Sequence, residues 1–185
     1  MNESLENQNP EYLESNRELF DLVTADQNDR RSLDYFNQHA EEITEHDTER
    51  RKRLRALIEK GALQNRYDYY SAALILQHGL ESKDYKEAVQ YARIAHEMGH
   101  EDAGWLCACT EDRYLMSIGK LQKYGTQYQP KMVPGPDGDD IPDVSNYVLM
   151  PVDPDTTDEE RLELGARTLA EAQEYAKTFN RPRAD

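Results

Sequence analysis

Three consecutive segments with helical periodicity, each ending at a glycine, constrain this chain more than any other feature of its sequence. The segments are residues 67–78, 84–98 and 101–118, and the glycines that follow them are Gly79, Gly99 and Gly119. Apolar residues spaced three and four apart give each segment an apolar face. Glycine is favoured just past a helix end because it adopts positive φ without strain. Short turns between such helices predict a mainly α-helical fold, an irregular antiparallel helical array.

Weaker helical patterns lie on both sides of these three segments. Toward the N-terminus, one predicted helix runs over about residues 16–36 and another over about 41–60. Toward the C-terminus, the run Thr-Asp-Glu-Glu at 157–160 has the spacing of a capping box, which begins a last helix. That helix is predicted to pause near Gly165 and to resume beyond it.

A proline-rich stretch separates the helical array from the last helix. Six prolines between residues 120 and 155 prevent a long helix from crossing this part of the chain. Two β-like runs, 122–128 and 146–152, flank a turn-rich segment and predict a small two-stranded β-hairpin. We therefore expect one helical domain over residues 15–180 with an insert at about 120–155, a flexible lead-in over 1–14 and a flexible tail over 181–185.

Composition narrows the classes of partner. Lysine and arginine total 22 against 37 aspartate and glutamate, a formal net charge of −15, so a nucleic-acid partner is not expected. The sequence has neither a long apolar run nor a basic, apolar export signal at its start, so we expect no membrane partner and a cytoplasmic location. Cys107 and Cys109 lie on nearly opposite sides of a predicted helix, which favours buried, inert thiols over a disulfide.

Residues 84–103, DYKEAVQYARIAHEMGHEDA, resemble a Sel-type repeat, which is similar to the tetratricopeptide repeat. The resemblance rests on the small alanines and on the Gly99-His100 turn, and it implies a closely packed helical hairpin. It covers about one repeat, and no second copy follows at a period of about 36 residues. Because solenoids need several stacked units, the sequence does not predict an extended superhelix.

A second resemblance rests on Asp112-Arg113 followed by Gln122 and the run Tyr-Gly-Thr-Gln at 124–127. The chain here resembles an uncharacterised bacterial family, a domain of unknown function, with the signature D-R-x-L-x-x-x-G-x-x-Q-x-Y-G-T-Q. The segments LVTADQNDR, AALILQHG and PVDPDTTDEER resemble further parts of that family. The resemblance implies a shared fold and carries no known activity.

Polar residues in these segments form the candidate site. They are Asp26, Gln27, Arg30, Gln77, His78, Asp112, Arg113, Gln122, Tyr124, Thr126 and Gln127. The first three lie within about one helical turn, the next two end an apolar helix, and Asp112 and Arg113 lie in the middle of a helix. An acid and a guanidinium placed there can form buried, hydrogen-bonded pairs with other elements.

Three interpretations of this set stay open. In the first, Arg30, Arg113, Gln122 and Gln127 fasten the insert to the helices by binding backbone carbonyls. In the second, the set lines a polar groove of a non-catalytic binding or interaction module, without a cofactor, whose partner is a protein, a peptide or a small polar ligand. In the third, the protein is an enzyme of unassigned reaction, with His78 and Asp112 as acid and base and Arg113 as a clamp for an anion.

Two further patterns have local explanations. His96-Glu97-Met98-Gly99-His100 matches the H-E-x-x-H string of zinc proteases, but position 106, where the extended pattern has its third histidine, is Leu106. We therefore expect no metal and keep a zinc site at His96 and His100 as a minor alternative. The basic run at 50–53 follows several acidic residues, which predicts a solvated, internally compensated helix face.

Overall fold

The computed structural model of this chain describes residues 16–178. The predicted flexible segments 1–14 and 181–185 lie outside the described residues. The helices are α1 Arg17–Asp29, α2 Leu33–Gln38, α3 Ala40–Glu59, α4 Arg66–Leu76, α5 Ser82–Glu97, α6 Ala103–Ser117, α7 Asp158–Glu163 and α8 Leu169–Ala176, and the strands are β1 Tyr128–Pro134 and β2 Asp140–Leu149. The prediction of a mainly helical fold with a small antiparallel sheet is confirmed.

The N-terminal helical region is broken where one continuous helix was predicted. The Asn16 side chain caps α1 by accepting a hydrogen bond from the backbone N–H of Leu19, and α1 ends at Asp29. Ser32 then adopts an extended conformation, and its hydroxyl accepts a 3.1 Å hydrogen bond from the backbone N–H of Tyr35. A serine cap satisfies a backbone donor that a continuous helix would bond internally, so α2 begins as a separate helix.

The core lies between the helices on either side of α4. One cluster joins α1, α3, α4 and α5 through Leu19, Leu54, Leu57, Ala72, Ile75, Leu76 and Ala88. A second cluster joins α4, α5 and α6 through Ala73, Ala92, Leu106 and Cys107. Helix α4 therefore buries opposite faces in two clusters, which explains why its sequence is apolar nearly all round.

Close backbone packing fixes the turn between α4 and α5. A Cβ atom placed on Gly79 would lie 2.3 Å from the Cβ of Asp84, so no other residue fits there without a shift of the backbone. Buried Asp84 in turn accepts a 2.7 Å hydrogen bond from Nη2 of Arg55. The turn is thus tied to α3 as well as to its own helices.

The strands are displaced from the predicted runs, β1 toward the C-terminus and β2 toward the N-terminus. β1 and β2 pair antiparallel from Tyr128 opposite Leu149, with an irregularity after Pro130 where the register shifts by several residues. Of the first predicted strand, 122–128, only Tyr128 belongs to a strand, and residue 122 forms an isolated parallel bridge with Val152. The loop departs from an extended path because Gly125 has a φ of +76°, outside the β region.

The C-terminal helices follow the prediction. Thr157 and Glu160 form the expected capping box at the start of α7, and Gly165, with a φ of +70°, separates α7 from α8. Thr168 and Glu171 form a second capping box at the start of α8. Within the described chain, none of the helices combines the length and the apolar character needed to cross a membrane.

Candidate functional site

The predicted site residues divide into a loop brace, a buried charge cluster and a pocket. The loop brace consists of Asp112, Gln122 and the loop 122–127. The charge cluster joins Asp26 and Arg30 of α1 to α3. The pocket lies beside Arg113, between α5, α6 and the start of β1. Arg113 belongs to neither the loop brace nor the charge cluster.

Asp112 holds the loop through both of its carboxylate oxygens. Its Oδ1 accepts hydrogen bonds from the backbone N–H of Lys123 (2.6 Å) and of Tyr124 (2.8 Å). Its Oδ2 accepts hydrogen bonds from the backbone N–H of Thr126 (2.9 Å) and from the hydroxyl of the same residue (2.8 Å). The side chain is 0 % exposed. Burial raises the pKa of the Asp112 carboxyl, and the backbone and hydroxyl donors oppose that rise.

Gln122 closes the same loop. Its Nε2 donates to the carbonyl oxygens of Gln127 (3.1 Å) and Met150 (2.7 Å), and its Oε1 accepts a 2.9 Å hydrogen bond from the backbone N–H of Gln127. One buried amide therefore joins the loop to the end of β2. For Gln122, these contacts agree with the interpretation in which the polar set fastens the insert.

Arg161 completes the loop brace and was not among the predicted residues. Its Nη1 donates to the carbonyl of Thr156 (2.7 Å), its Nη2 donates to the carbonyl of Lys123 (3.3 Å), and the side chain is buried. Its position four residues after the Thr157 cap indicates only an intrahelical role. The contact with Lys123 spans 38 residues of chain, and no local pattern could have revealed it.

The charge cluster links α1 to α3. Arg30 donates from Nη1 to Asp26 Oδ1 (2.9 Å) and from Nη2 to Asp47 Oδ2 (2.5 Å). Arg50 donates from Nη1 to Asp47 Oδ1 (2.9 Å) and from Nη2 to Asp29. Each arginine thus holds two carboxylates, and buried charges are satisfied in this way when they persist in a fold.

Asp47 and Arg50 belong to the basic helix whose face was predicted to be solvated; that prediction is wrong for Arg50 but agrees with Lys52, which is exposed and pairs with Glu49 of the same helix. Arg50 is 7 % exposed. Arg51 donates from Nη1 to the carbonyl of His78 at the end of α4 (2.7 Å), and Arg55 pairs with Asp84 of α5. Most partners of the run lie on other elements, because the face of α3 that carries the arginines packs toward α1, α4 and α5.

His78 lies at the edge of the charge cluster, with its Nε2 3.7 Å from Oδ2 of Asp26. Burial raises the pKa of the Asp26 carboxyl to about 6, although Arg30 opposes the rise. Burial, together with the positive charges of Arg30 and Arg113, holds the pKa of His78 well below its usual range. The imidazole is therefore neutral near pH 7 and a weak base.

The remaining predicted residues, Gln27, Gln77 and Tyr124, do not line the pocket. Gln27 donates from Nε2 to Oδ2 of Asp26 (2.8 Å), and Gln77 is the residue at the C-terminal end of α4. Tyr124 is buried against Ala108 and Ala166. Gln27 therefore acts within α1, whereas Tyr124 packs the loop against α6 and the segment between α7 and α8.

The pocket has a volume of about 400 Å³. Its lining residues are Tyr85, Arg113, Met116, Ser117, Gln127, Tyr128 and Gln129. Of the predicted site residues, Arg113 and Gln127 line this pocket, whereas His78 and Asp112 do not. The Nε of Arg113 is buried and has no hydrogen-bond partner among the described residues.

The H-E-x-x-H string does not lie on one continuous helix. Helix α5 ends at Glu97, and Gly99 has a φ of +82°. The ring of His100 stacks on Tyr70 of α4 with centroids 3.9 Å apart, while His96 is exposed and lines a different cavity. Over the part of the chain that the structure describes, no three His, Cys, Asp or Glu side chains group as a metal site. The zinc alternative thus lacks the continuous helix on which it depends.

Both cysteines are free thiols. Burial raises the pKa of Cys107 to about 11 and that of Cys109 to about 12. The thiolate is the reactive form of cysteine, so neither side chain is a nucleophile near pH 7.

Comparisons with known proteins leave this geometry as the main guide to function. No family model, curated protein or solved structure matches the chain. The resemblances to a Sel-type repeat and to an uncharacterised bacterial family therefore remain predictions.

Proposed function

We propose that the protein is a non-catalytic binding protein and that the pocket beside Arg113 is its ligand site. The observation that carries this proposal is the buried, unpartnered Nε of Arg113 at the wall of a cavity of about 400 Å³. Buried polar groups almost always have partners, and one without a partner that lies at a cavity needs an explanation such as a bound water, ion or ligand. A bound ligand supplies such a partner.

The size and lining of the pocket support the proposal. Small-molecule sites have volumes of roughly 300–1,000 Å³ and combine apolar walls with a few polar groups that orient the ligand. Met116 and two tyrosines supply apolar surface here, while Arg113 and Gln127 supply polar groups. The site lies where α5, α6 and β1 meet, so rigid elements position these side chains.

Two other cavities favour a ligand less. The cavity of about 540 Å³ beside α1 and α3 is lined by Asp29, His46, Arg50 and Arg53. Its charged groups are already paired, as in the contact of Arg50 with Asp29. The cavity of about 270 Å³ beside His96 contains Arg93, which is paired with Glu111 at 2.7 Å. Neither cavity leaves a buried polar atom for a ligand to satisfy.

The catalytic alternative has less support from the same contacts. Asp112 would have to break the loop brace to exchange a proton with a substrate. His78 is a weak base because its pKa is well below the usual range, whereas a general base is most effective with a pKa near the working pH. A binding role requires neither group.

A fragment screen observed through amide chemical shifts of ¹⁵N-labelled protein tests the proposal. We expect a small polar ligand to shift the amides of Tyr85, Ser117 and Gln129, which lie on three elements around the pocket. The variant Ser117→Trp should abolish the response by filling the pocket. Its matched control is Glu59→Trp at the exposed end of α3. Shifts at another surface, or binding unaffected by Ser117→Trp, would contradict the proposal.

We also propose that α5 and α6 form a Sel-type helical hairpin and that the protein works in the cytoplasm. The first is supported by Ala92 and Leu106, which pack in one cluster across the two helices, and by the turn at Gly99. The second is supported by two unpaired thiols, because disulfides are rare in the reducing cytosol. The hairpin proposal would be contradicted if Sel-type repeat sequences aligned with a part of this chain other than α5 and α6.

A further inference from the structure

We propose that the ligand of this pocket is a small organic anion whose carboxylate or phosphate group pairs with the Arg113 guanidinium. This inference rests on the proposed function, because it assigns a chemical class to a ligand of the same pocket. The assignment follows from the charge of Arg113, from the absence of a neutralising group beside it and from the size of the cavity.

Arg113 differs from the other arginines of the core in lacking a partner. Arg30 and Arg50 each pair with two carboxylates. Arg161 also has a buried Nε without a partner, but its two Nη atoms donate to backbone carbonyls. For Arg113, the structure over residues 16–178 contains neither a hydrogen bond nor an ion pair. Arginine stays charged in proteins, and the Arg113 guanidinium, with its Nε buried, has no counterion within the described fold.

Among the described residues, none that lines the pocket carries a negative charge. The lining residues include no aspartate or glutamate. The Cys109 thiol lies near Arg113, but burial raises its pKa to about 12 and keeps it uncharged near pH 7. Arg30 adds a second positive charge, which with burial lowers the pKa of Arg113. The surroundings favour a negative group next to the guanidinium.

The charge pattern also argues against a nonspecific attraction. The whole chain has a formal net charge of −15, so anions are repelled at long range and few will accumulate at its surface. An anion that binds must therefore gain from local contacts. Arginine suits this role because its planar guanidinium donates two parallel hydrogen bonds to a carboxylate or a phosphate.

The cavity indicates that the charged group is part of a larger molecule. A volume of about 400 Å³ is in the range of sites for small organic ligands, larger than an inorganic anion fills. Met116 and Tyr128 offer apolar surface to the remainder of the ligand. The Gln127 amide donates from Nε2 to the hydroxyl of Thr126 (2.8 Å), which leaves its oxygen as an acceptor for a donor group of the ligand.

The test titrates inorganic phosphate and, separately, acetate into ¹⁵N-labelled protein at constant ionic strength, with chloride as the balancing anion. The readout is the Nε–H resonance of Arg113, which reports directly on the buried atom. We expect saturable shifts of this resonance with phosphate, acetate or both. In samples that contain chloride as the only anion, we expect no shift. Arg113→Lys keeps the charge but loses the planar fork and the Nε–H resonance; followed through its pocket amides, it should bind about tenfold or more weakly.

A matched variant separates a site from general electrostatics. Arg93→Met removes one positive charge from an exposed position of α5, and we expect it to bind the anion as the wild type does. Arg113→Met should show no saturable response in its pocket amides. If Arg113→Met does not fold, the wild-type Nε–H resonance and the lysine variant still decide the question.

The outcomes distinguish the two proposals. A response to phosphate alone identifies a phosphorylated ligand, and a response to acetate alone identifies a carboxylate. If neither anion shifts the resonance, and neutral or cationic fragments bind wild type and Arg113→Met equally, the anion assignment is overturned while the binding function stands. If no fragment of any charge perturbs the pocket, both proposals fail.

Discussion

Asp112 and Arg113 are neighbours on α6, yet they lie in opposite environments. The Asp112 carboxylate accepts four hydrogen bonds from one loop and is fully buried. The Arg113 guanidinium lines a cavity and has a buried donor without an acceptor in the described structure. The contrast teaches that a helix position next to a structural anchor can carry a charged group without a partner in the described fold, since adjacent residues face about 100° apart.

Asp112→Ala should produce the largest loss of stability. The change leaves three backbone N–H groups and one hydroxyl without their acceptor, and each unsatisfied buried group costs about 1–3 kcal/mol. Because the loop can relax toward water, we expect the free energy of unfolding to fall by about 3–5 kcal/mol, measured by urea denaturation. A loss below about 1 kcal/mol would show that the loop is held by other contacts.

The pH dependence of Asp26 should have the next largest effect. Its pKa is about 6 in the folded protein against an ordinary value of 3.8, so the folded state binds more protons between these values. Stability is therefore highest at the acid end and is lost as the pH rises through about 6. At 1.36 kcal/mol per pKa unit, the loss is about 3 kcal/mol.

His78 has the opposite dependence, since its lowered pKa destabilises the folded state as the pH falls below 6.5. The comparison is therefore made in a His78→Gln background, by urea denaturation across this pH range. Adding Asp26→Asn to that background should remove the part of the slope that Asp26 contributes, while the raised pKa of Asp112 leaves a smaller slope of the same sign. An unchanged slope would mean that another carboxyl group carries it.

Gln122→Ala tests how much the Gln122 side chain contributes to the stability of the loop brace. The change leaves one backbone N–H and two carbonyls of the insert without their side-chain partner, and we expect a loss of about 2 kcal/mol in the free energy of unfolding. Gln129→Ala, on an exposed part of β1, is the control and should change stability by less than about 0.5 kcal/mol. Equal losses in both variants would contradict a specific role for Gln122.

Arg113→Met should have the smallest effect on stability. The sign of the change in the free energy of unfolding tests the contrast between Arg113 and Asp112 directly. Removing a buried charge that has no partner relieves its desolvation cost, so we expect the free energy of unfolding to be unchanged or to rise by about 1 kcal/mol. Arg161→Met, which loses hydrogen bonds to two backbone carbonyls, should instead lose about 2 kcal/mol. A similar loss in both variants would make Arg113 a structural residue.

The sequence predicted the features that depend on near neighbours. Gly99 and the Thr157 capping box ended and began helices where expected, because these signals act within a few residues. It missed the break at Ser32 and the shift of the strands to Tyr128–Pro134 and Asp140–Leu149. The helix break and the strand positions both depend on which backbone N–H and C=O groups pair with one another. The sequence is compatible with several such pairings in each region.

For the site, the sequence identified the residue types but not their partners. It grouped Asp112, Arg113 and His78 as one constellation, whereas the structure separates a loop brace, a pocket and a charge cluster. It overlooked Arg161 and the role of Arg50, since contacts across 38 and 21 residues have no local signature.

By itself, the sequence determined that this chain is mainly helical, where most helices begin and end, and which polar residues interrupt apolar segments. These properties follow from hydrophobic periodicity and capping, which act over one or two helical turns. Only the tertiary structure decided which charges were paired. Packing α1 against α3, and the loop against α6, supplied acceptors to Arg30, Arg50 and Arg161. The same packing left Arg113 facing a cavity without one.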